Sequence, residues 1–277
     1  MIRFDDQVVL VTGAGRGLGL AYARLFAERG AALVVHDAGV ALDGSGADPT
    51  IADRVANDLR SHGARVEAAY DDLGTRNGCR ATVAVAVERL GRVDALVHSA
   101  GLALRARVED VDETFLRRSM AVNLEAAFWL VQAALPTMRR QSYGRIVLTS
   151  SGHGLETDST VDDLVPYGAA KGGQFGLMNE LVAVGRPHGI LVNAISPVAA
   201  TRMYSRQAAR GERTPEQVAP GVVFLASRAC MFSGVVLAAA DGRFSLGGYH
   251  TSDETNFGRD PVSPDEIAAR FAEPFEN

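Results

Sequence analysis

The sequence contains few cysteines and no long apolar run, and each shortage excludes a class of protein. Cys79 and Cys230 are the only cysteines and share no short metal-type spacing, so a thiol-based zinc site is not expected. We find no charged-then-apolar leader and no apolar run long enough to cross a bilayer. These features predict a cytoplasmic protein that does not bind membranes and keeps both thiols reduced.

Positive charge is also in short supply. The chain has 28 lysines and arginines against 33 acidic residues, a net charge of −5, so a nucleic-acid partner is not expected. Its six histidines form no ligand cluster, which argues against a metal site. Apolar residues are abundant, at 47% of 277 residues, which is enough for a large core in one α/β unit.

Short apolar runs alternate with helical segments along most of the chain. About seven runs are expected to be strands: 7–11, 31–36, 64–70, 94–100, 144–150, 189–196 and 235–240. Helices are expected at 18–30, after Pro49, and at 76–90, 112–140 and 167–186. This alternation predicts an α/β fold, namely a single-domain, Rossmann-like, doubly wound parallel sheet with helices on both faces.

The character of the sequence changes near residue 245. Residues 1–245 carry the alternating pattern and are expected to form the dinucleotide-binding and catalytic domain, whereas residues 246–277 are polar and rich in turn residues. We expect the latter to be a C-terminal extension. Two interpretations stay open: a segment that wraps the body or contacts a partner subunit, and a partly disordered terminus.

The segment TGAGRGLG, residues 12–19, lies between the first strand and its helix. It fits the pattern T-G-x-x-x-G-x-G, with glycines at 13, 17 and 19. Glycines let backbone N–H groups approach a pyrophosphate, and the N-terminus of the following helix favours an anion. The segment therefore predicts a dinucleotide cofactor.

Asp37 ends the second strand and bears on which dinucleotide is bound. A carboxylate there can accept hydrogen bonds from both ribose hydroxyls and repels a 2′-phosphate. Arg16, inside the glycine turn, favours the opposite choice because it can reach a 2′-phosphate. We give more weight to Asp37, which lies directly at the ribose, and expect NAD rather than NADP.

Several further motifs follow in order: Asp72-Leu73, HSAG at 98–101, Asn123, Ser151 and YGAAK at 167–171. With the glycine turn, they resemble the short-chain dehydrogenase/reductase family over roughly residues 3–245. Within that family the chain is most similar to the 3-hydroxyacyl-CoA dehydrogenase part of the peroxisomal multifunctional β-oxidation enzyme and its bacterial relatives. The resemblance implies these cofactor-binding residues: Gly13, Arg16, Gly17, Leu18, Gly19, Asp37, Asp72, Leu73, Ser99, Ala100, Gly101, Tyr167, Lys171, Pro197, Val198 and Thr201.

The sequence departs from the family pattern at two positions. The family has asparagine where this chain has His98, and we interpret His98 as a structural residue that hydrogen-bonds in its place. The family also has glycine where this chain has Val198. The backbone of Val198 can still bind the nicotinamide carboxamide, as the family does at this point, and Thr201 lies where a hydroxyl often assists.

Tyr167 is the expected general acid/base. A tyrosine with its ordinary pKa near 10 is a poor base at neutral pH. Lys171 lies on the same helical face, and its charge, with that of oxidised nicotinamide, favours the phenolate and is expected to lower that pKa. The resemblance implies that Lys171 also binds the nicotinamide ribose and that Asn123 holds a water in a proton relay.

Ser151 is the expected partner of Tyr167, because a serine hydroxyl near the substrate oxygen can orient it and stabilise developing charge. Ser150 precedes it, and strand alternation places the two side chains on opposite faces. Sixteen positions separate Ser151 from Tyr167, in a loop with acidic residues at 158, 162 and 163. That loop either excludes anionic substrates or is simply solvated.

The expected reaction is interconversion of a secondary alcohol and a ketone by NAD-linked hydride transfer. Segment 199–214, where the family has a mobile substrate lid, contains four arginines, so a 3-hydroxyacyl-CoA is one candidate substrate; a solvated helix face is the alternative reading. A reductase of a free cyclic, steroid-like or polyketide ketone is the second candidate function. A non-catalytic dinucleotide sensor or scaffold is the third. The resemblance implies a homodimer or homotetramer formed through the helices that begin near 112 and 167.

Overall fold

The structure is a computed structural model that describes residues 1–156, 161–201, 213–248, 255–256 and 261–270. The chain divides into two compact units, Met1–Gly247 and Gly248–Asn277. The sequence analysis expected the boundary two residues earlier. The described part of the second unit contains one short helix, α9, Pro264–Arg270, which begins after Ser263. The Ser263 hydroxyl accepts from the Glu266 backbone N–H and donates to its carboxylate, a reciprocal cap that favours this start.

The first unit is built on one eight-stranded sheet. Its strands in chain order are β1 Val8–Thr12, β2 Ala32–His36, β3 Val66–Ala69, β4 Ala95–His98, β5 Gly144–Thr149, β6 Ile190–Val198, β7 Val236–Ala240 and β8 Arg243–Gly247. In space the order is β3-β2-β1-β4-β5-β6-β7-β8. All neighbouring pairs are parallel except the last, β7 with β8. Chain order reverses at β1, which is where such sheets open a crevice for a ligand.

Helices cover both faces of the sheet. They are α1 Gly17–Glu28, α2 Thr50–Ser61, α3 Arg76–Leu90, α4 Glu113–Met120, α5 Ala126–Gln141, α6 Gly152–Leu155, α7 Val165–Gly185 and α8 Pro215–Leu225. Side chains of β1 alternate between the faces, as the strand repeat requires. Val9 and Val11 pack with α1, α2 and α8, whereas Val8 and Leu10 pack with α3, α5 and α7. The two cores hold the carboxyl ends of the strands at one edge. The expected fold class is confirmed.

The structure corrects two details of the predicted fold. The described residues form eight strands, because β8 returns antiparallel to β7 after a turn with positive φ at Asp241 and Gly242. Every residue of β8 is exposed, so it lacks the alternation that marks a half-buried strand. The helix predicted at 112–140 is α4 and α5 joined by a π-helical turn, Ala121–Glu125.

None of the helices in the described residues is long and apolar enough to cross a membrane. Cys79 and Cys230 are both free and buried.

Candidate active site

The glycine turn lies at the carboxyl end of β1, against the loop after β4. Gly13 has a φ of +67°, and a Cβ on it would come within 2.9 Å of the Ala100 backbone. A Cβ on Gly19 would come within 2.2 Å of the Gly13 carbonyl oxygen. Side chains are therefore excluded by contact, and α1 begins within the segment, at Gly17. The cradle fits a pyrophosphate held by backbone N–H groups and a helix N-terminus.

Asp37 is held across this turn by two backbone groups. Its Oδ2 accepts from the Gly15 N–H at 3.0 Å, and its Oδ1 accepts from the Gly39 N–H at 2.8 Å. The side chain lines the cleft and is 9% exposed. The guanidinium of Arg16 also lines the cleft and contacts the Val40 carbonyl at 3.5 Å. A fixed carboxylate and a cation therefore face the same end of the cleft.

Arg118, on α4, also lines the cleft. Its Nη2 donates to the Gly44 carbonyl at 3.0 Å, and its Nη1 lies 3.3 Å from the Asp72 carboxylate. It thus ties the loop after β2 to the loop after β3. The sequence analysis missed Arg118, because Gly44 lies 74 positions away and no local spacing connects the two.

His98 joins three strands beneath the cleft. Thr12 Oγ1 accepts from the N–H groups of Ser99 and Ala100, which leaves its hydroxyl hydrogen for His98 Nδ1, 3.0 Å away. The His98 carbonyl accepts from Thr149 Oγ1 at 2.7 Å. Burial, aided by the charge of Lys171, lowers the pKa of His98 to about 3. His98 is therefore a neutral brace between β1, β4 and β5.

Asn123 lies in the π-helical turn and is fully buried. Its side-chain amide donates to the carbonyls of Leu102 and Ser119, and its Oδ1 accepts from the Leu102 N–H at 3.0 Å. Gly101 separates it from Lys171: a Cβ on Gly101 would lie 2.9 Å from Asn123 Oδ1 and 3.6 Å from Lys171 Nζ. The side chain of Asn123 is therefore committed to holding the loop after β4 beside Lys171.

The two serines at the end of β5 point to different partners. Ser150 Oγ donates to the Lys171 carbonyl at 2.9 Å and is buried. Ser151 begins α6 by accepting from the His153 N–H, and its hydroxyl also hydrogen-bonds with Tyr167. Ser151 is therefore the serine on the Tyr167 side.

The long segment between Ser151 and Tyr167 does not separate them in space. The short helix α6 lies against α7 at van der Waals distance, since a Cβ on Gly154 would come within 2.3 Å of the Gly172 backbone nitrogen. The ring of His153 meets that of Tyr167 edge to face, with centroids 6.3 Å apart. Residues 157–160, in the middle of the segment, lie outside the described residues.

Burial governs the ionisation of the tyrosine and lysine. It raises the pKa of Tyr167, and the hydrogen bond with Ser151 opposes this rise. It also lowers the pKa of Lys171 to about 7, while Nζ donates to the Thr149 carbonyl at 2.7 Å. The low tyrosine pKa expected from the sequence is therefore not produced by the chain itself, because desolvation outweighs the effect of Ser151. Lys171 Nζ lies 5.6 Å from the centroid of the Tyr167 ring.

These residues surround one cleft of about 890 Å³. The sequence-predicted residues that line it are Gly13, Arg16, Gly17, Leu18, Gly19, Asp37, Asp72, Leu73, Ser99, Ala100, Gly101, Ser151, Tyr167, Lys171, Pro197 and Thr201. Two do not line it: Asn123, which lies behind the wall, and Val198, which is the last residue of β6 and pairs with Ala240.

Comparison with known proteins identifies the family of this chain. The family model described as short chain dehydrogenase matches residues 7–211. The chain belongs to the short-chain dehydrogenase family. Members of this family bind NAD(H) or NADP(H).

Three relatives show how far the likeness extends. A protein of Mycobacterium tuberculosis named as a short-chain type dehydrogenase/reductase is 37% identical over 97% of this chain and 94% of its own. Peroxisomal multifunctional enzyme type 2 of Drosophila melanogaster is 37% identical over 87% of this chain but only 40% of its own length. A crystal structure of a short chain dehydrogenase from Mycobacterium avium superposes with a TM-score of 0.83 at 32% identity, covering 97% of this chain and 94% of its own.

The cleft of this dehydrogenase is also lined by residues that were not predicted from the sequence. Leu102, Ala103, Leu164, Ala199 and Ala200 give the cleft apolar walls, and Arg105 lies among them. Thr201 lies within the expected lid, 199–214, most of which, 202–212, lies outside the described residues. Of its four arginines, Arg213 is described and lies 3.4 Å from Asp241. No group of three or more potential metal ligands occurs among the described residues.

Proposed function

We propose that this dehydrogenase interconverts a secondary alcohol and a ketone by hydride transfer to or from NAD. The observation that carries the proposal is the convergence of Ser151, Tyr167 and Lys171 on the cleft that the glycine turn opens. When bound, the nicotinamide supplies the hydride acceptor or donor. The chain must supply the proton chemistry and the orientation of the substrate.

Tyr167 is the group that exchanges the hydroxyl proton in this proposal. Its hydroxyl interacts with that of Ser151 through a hydrogen bond. A substrate oxygen that binds between the two hydroxyls would contact one acid/base group and one hydrogen-bond donor. Lys171 is buried one helical turn away on the same face of α7. A charged Lys171 beside the phenolate, with the charge of oxidised nicotinamide, opposes the rise in tyrosine pKa that burial causes.

Asp37 supports NAD as the cofactor. Both of its oxygens are already oriented by backbone N–H groups, so the carboxylate is held at the end of the cleft where an adenosine ribose would lie. Each oxygen retains a lone pair for a ribose hydroxyl, and the negative charge repels a 2′-phosphate. Arg16 is close enough to the same end to temper this preference.

A 3-hydroxyacyl-CoA is the first candidate substrate. The apolar walls formed by Leu102, Leu164 and Ala199 suit an acyl chain. Similarity to the dehydrogenase-containing multifunctional enzyme of Drosophila supports this choice, although this chain spans 40% of that protein.

A free cyclic or polyketide ketone is the second candidate, favoured by the charge state of the rim. Arg105 lies beside the apolar walls of the cleft, and it already forms an ion pair with Asp163 at 2.8 Å. A neutral ketone needs no unpaired cation there, whereas the phosphates of coenzyme A do.

A spectrophotometric panel that follows NADH separates these candidates. The panel contains 3-hydroxyacyl-CoA thioesters of several lengths and free cyclic alcohols, each with NAD and with NADP. Turnover of thioesters at least tenfold faster than of free alcohols would support the first candidate, and the reverse would support the second. Absence of hydride transfer with every compound, despite tight NAD binding, would reject the enzymatic proposal.

We also propose a homodimer or homotetramer formed through α4, α5 and α7. These helices expose four large apolar side chains, each more than a third exposed: Leu116, Phe128, Val165 and Val184. Burial of these side chains would stabilise an assembly. Light scattering at micromolar concentration tests this, and a mass of 29.3 kDa, that of one chain, would contradict it.

A further inference from the structure

Gln174 is a fully buried polar residue in the helix that carries Tyr167 and Lys171. It lies three residues after Lys171 in α7 and is 0% exposed. Residues three apart share one face of a helix, so the amide of Gln174 follows the ammonium of Lys171 along the face that packs on the π-helical turn. The reaction described above assigns it no role.

One end of the Gln174 side-chain amide forms a hydrogen bond and the other end does not. Its Nε2 donates to the backbone carbonyl of Asn123. Its Oε1 is buried and has no hydrogen-bond partner among the described residues. An unsatisfied buried acceptor is destabilising, and proteins commonly satisfy such groups with a buried water.

Lys171 has N–H donors to spare, and it precedes Gln174 by three residues on the same face of α7. An ammonium carries three N–H donors, and Lys171 Nζ uses one of them on the Thr149 carbonyl. The side chain of Asn123, which the sequence analysis associated with a relay water, is fully used on Leu102 and Ser119. The backbone carbonyl of Asn123 already accepts a hydrogen bond from Gln174 Nε2. Gln174 Oε1 is therefore a buried acceptor that is still unused, whereas the Asn123 side chain is not.

We propose that Gln174 is a positioning residue for the proton chemistry, a proposal that rests on the function proposed above. Nε2 fixes the carbonyl of Asn123 to the catalytic helix, and Oε1 holds a buried water that accepts a hydrogen bond from Lys171. The water provides polar surroundings for the buried side of Lys171. Without it, Lys171 is further desolvated, its charged form is less favoured, and the tyrosine phenolate loses support.

The test compares Gln174→Met with Thr82→Val in the full chain with its best alcohol substrate. Methionine keeps the length of the side chain and removes both polar ends. Thr82, on α3, is also fully buried with an oxygen that has no partner among the described residues, and it does not line the cleft. The control variant therefore reports how the loss of a buried polar group affects the fold, without any change at the cleft.

For Gln174→Met we expect kcat for alcohol oxidation to fall about tenfold, a loss of about 1.4 kcal/mol. The acidic limb of its pH profile should move to higher pH, while the Kd for NADH stays within about twofold. Thr82→Val should leave all three unchanged. An unchanged kcat and pH profile in folded Gln174→Met would overturn the proposal, because a merely structural residue would alter only stability.

A second measurement does not depend on the variant folding. In a crystal structure of the wild-type holoenzyme we expect a water within about 3.2 Å of both Gln174 Oε1 and Lys171 Nζ. Direct contact of Oε1 with a protein donor, with no such water, would overturn the proposal. Failure of the proposed function can be distinguished from failure of the role of Gln174, since the former would appear as an inactive wild-type protein.

Discussion

Asp163, in the loop that leads to Tyr167, accepts two hydrogen bonds from Arg105 Nη1, at 2.8 Å and 3.0 Å. The pair joins the loop after β4 to the loop before α7, and the Ala106 N–H adds a bond to the Asp163 carbonyl. Of the three aspartates noted in the acidic loop, Asp163 is therefore neutralised by a partner. Asp162 is exposed, and position 158 lies outside the described residues.

This pair predicts a charge effect on substrate choice. In Asp163→Asn the Arg105 cation is released beside the cleft, so kcat/KM for an anionic alcohol should rise about two- to fivefold, with neutral alcohols unchanged. The effect should shrink as salt is added. Arg117→Gln, which breaks the exposed pair with Glu113 on α4, is the matched control. Equal changes for charged and neutral alcohols would refute the charge argument.

Asp37→Asn should shift cofactor preference. The amide keeps an oxygen for the Gly39 N–H but removes the charge, so kcat/KM for NAD should fall about tenfold and that for NADP should rise. Steady-state kinetics with both cofactors measures this.

Arg16 provides the control for that result. If Arg16 binds the 2′-phosphate, Arg16→Gln added to Asp37→Asn should abolish the gain with NADP. If Asp37→Asn alone kept its full preference for NAD, this result would contradict the role given to Asp37.

Gly101→Ala should disable the site with little effect on the rest of the fold. The added Cβ would come within 2.9 Å of Asn123 Oδ1, so either the asparagine or the loop must move beside Lys171. We expect kcat to fall more than about tenfold. The matched control is Gly176→Ala on α7, where a Cβ meets nothing within 4 Å. It should raise the free energy of unfolding by about 0.5–1 kcal/mol and leave kcat unchanged.

Lys171 should make stability depend on pH. Its pKa is about 7 in the folded chain and near 10.5 when unfolded. Between these values the unfolded chain binds more protons, so stability should rise with pH from about 7 towards 10. Thermal melts of the cofactor-free protein measure this. Lys171→Met should flatten the rise, and an identical slope in both proteins would contradict the burial of an ionisable lysine.

Local patterns in the sequence were enough to predict the sheet and the glycine turn, because both depend on neighbouring residues. The same holds for the Asp241-Gly242 turn, a hairpin signal that the sequence analysis overlooked when it missed β8. The roles of Arg118 and Gln174 were not predictable in this way. Each acts on a backbone carbonyl far away in sequence, at Gly44 and Asn123 respectively, and only the packing of helices against loops brings the groups together.

The π-helical turn at Asn123 is a similar case. Periodicity predicted one continuous helix over 112–140, and it cannot register the single wider turn that separates α4 from α5. That turn aims the Asn123 amide at the loop after β4. Interactions between residues far apart in sequence set the fine geometry of the site. Local propensity sets the strands and helices on which the site residues lie.

The central claim is that Tyr167 exchanges the proton with the alcohol while hydride passes to NAD. Its most direct test is the kcat of Tyr167→Phe with the substrate that the wild type turns over fastest, measured beside the Kd for NADH. We expect kcat to fall by about 100- to 10,000-fold with NADH binding nearly unchanged. A variant that keeps wild-type turnover would contradict the claim.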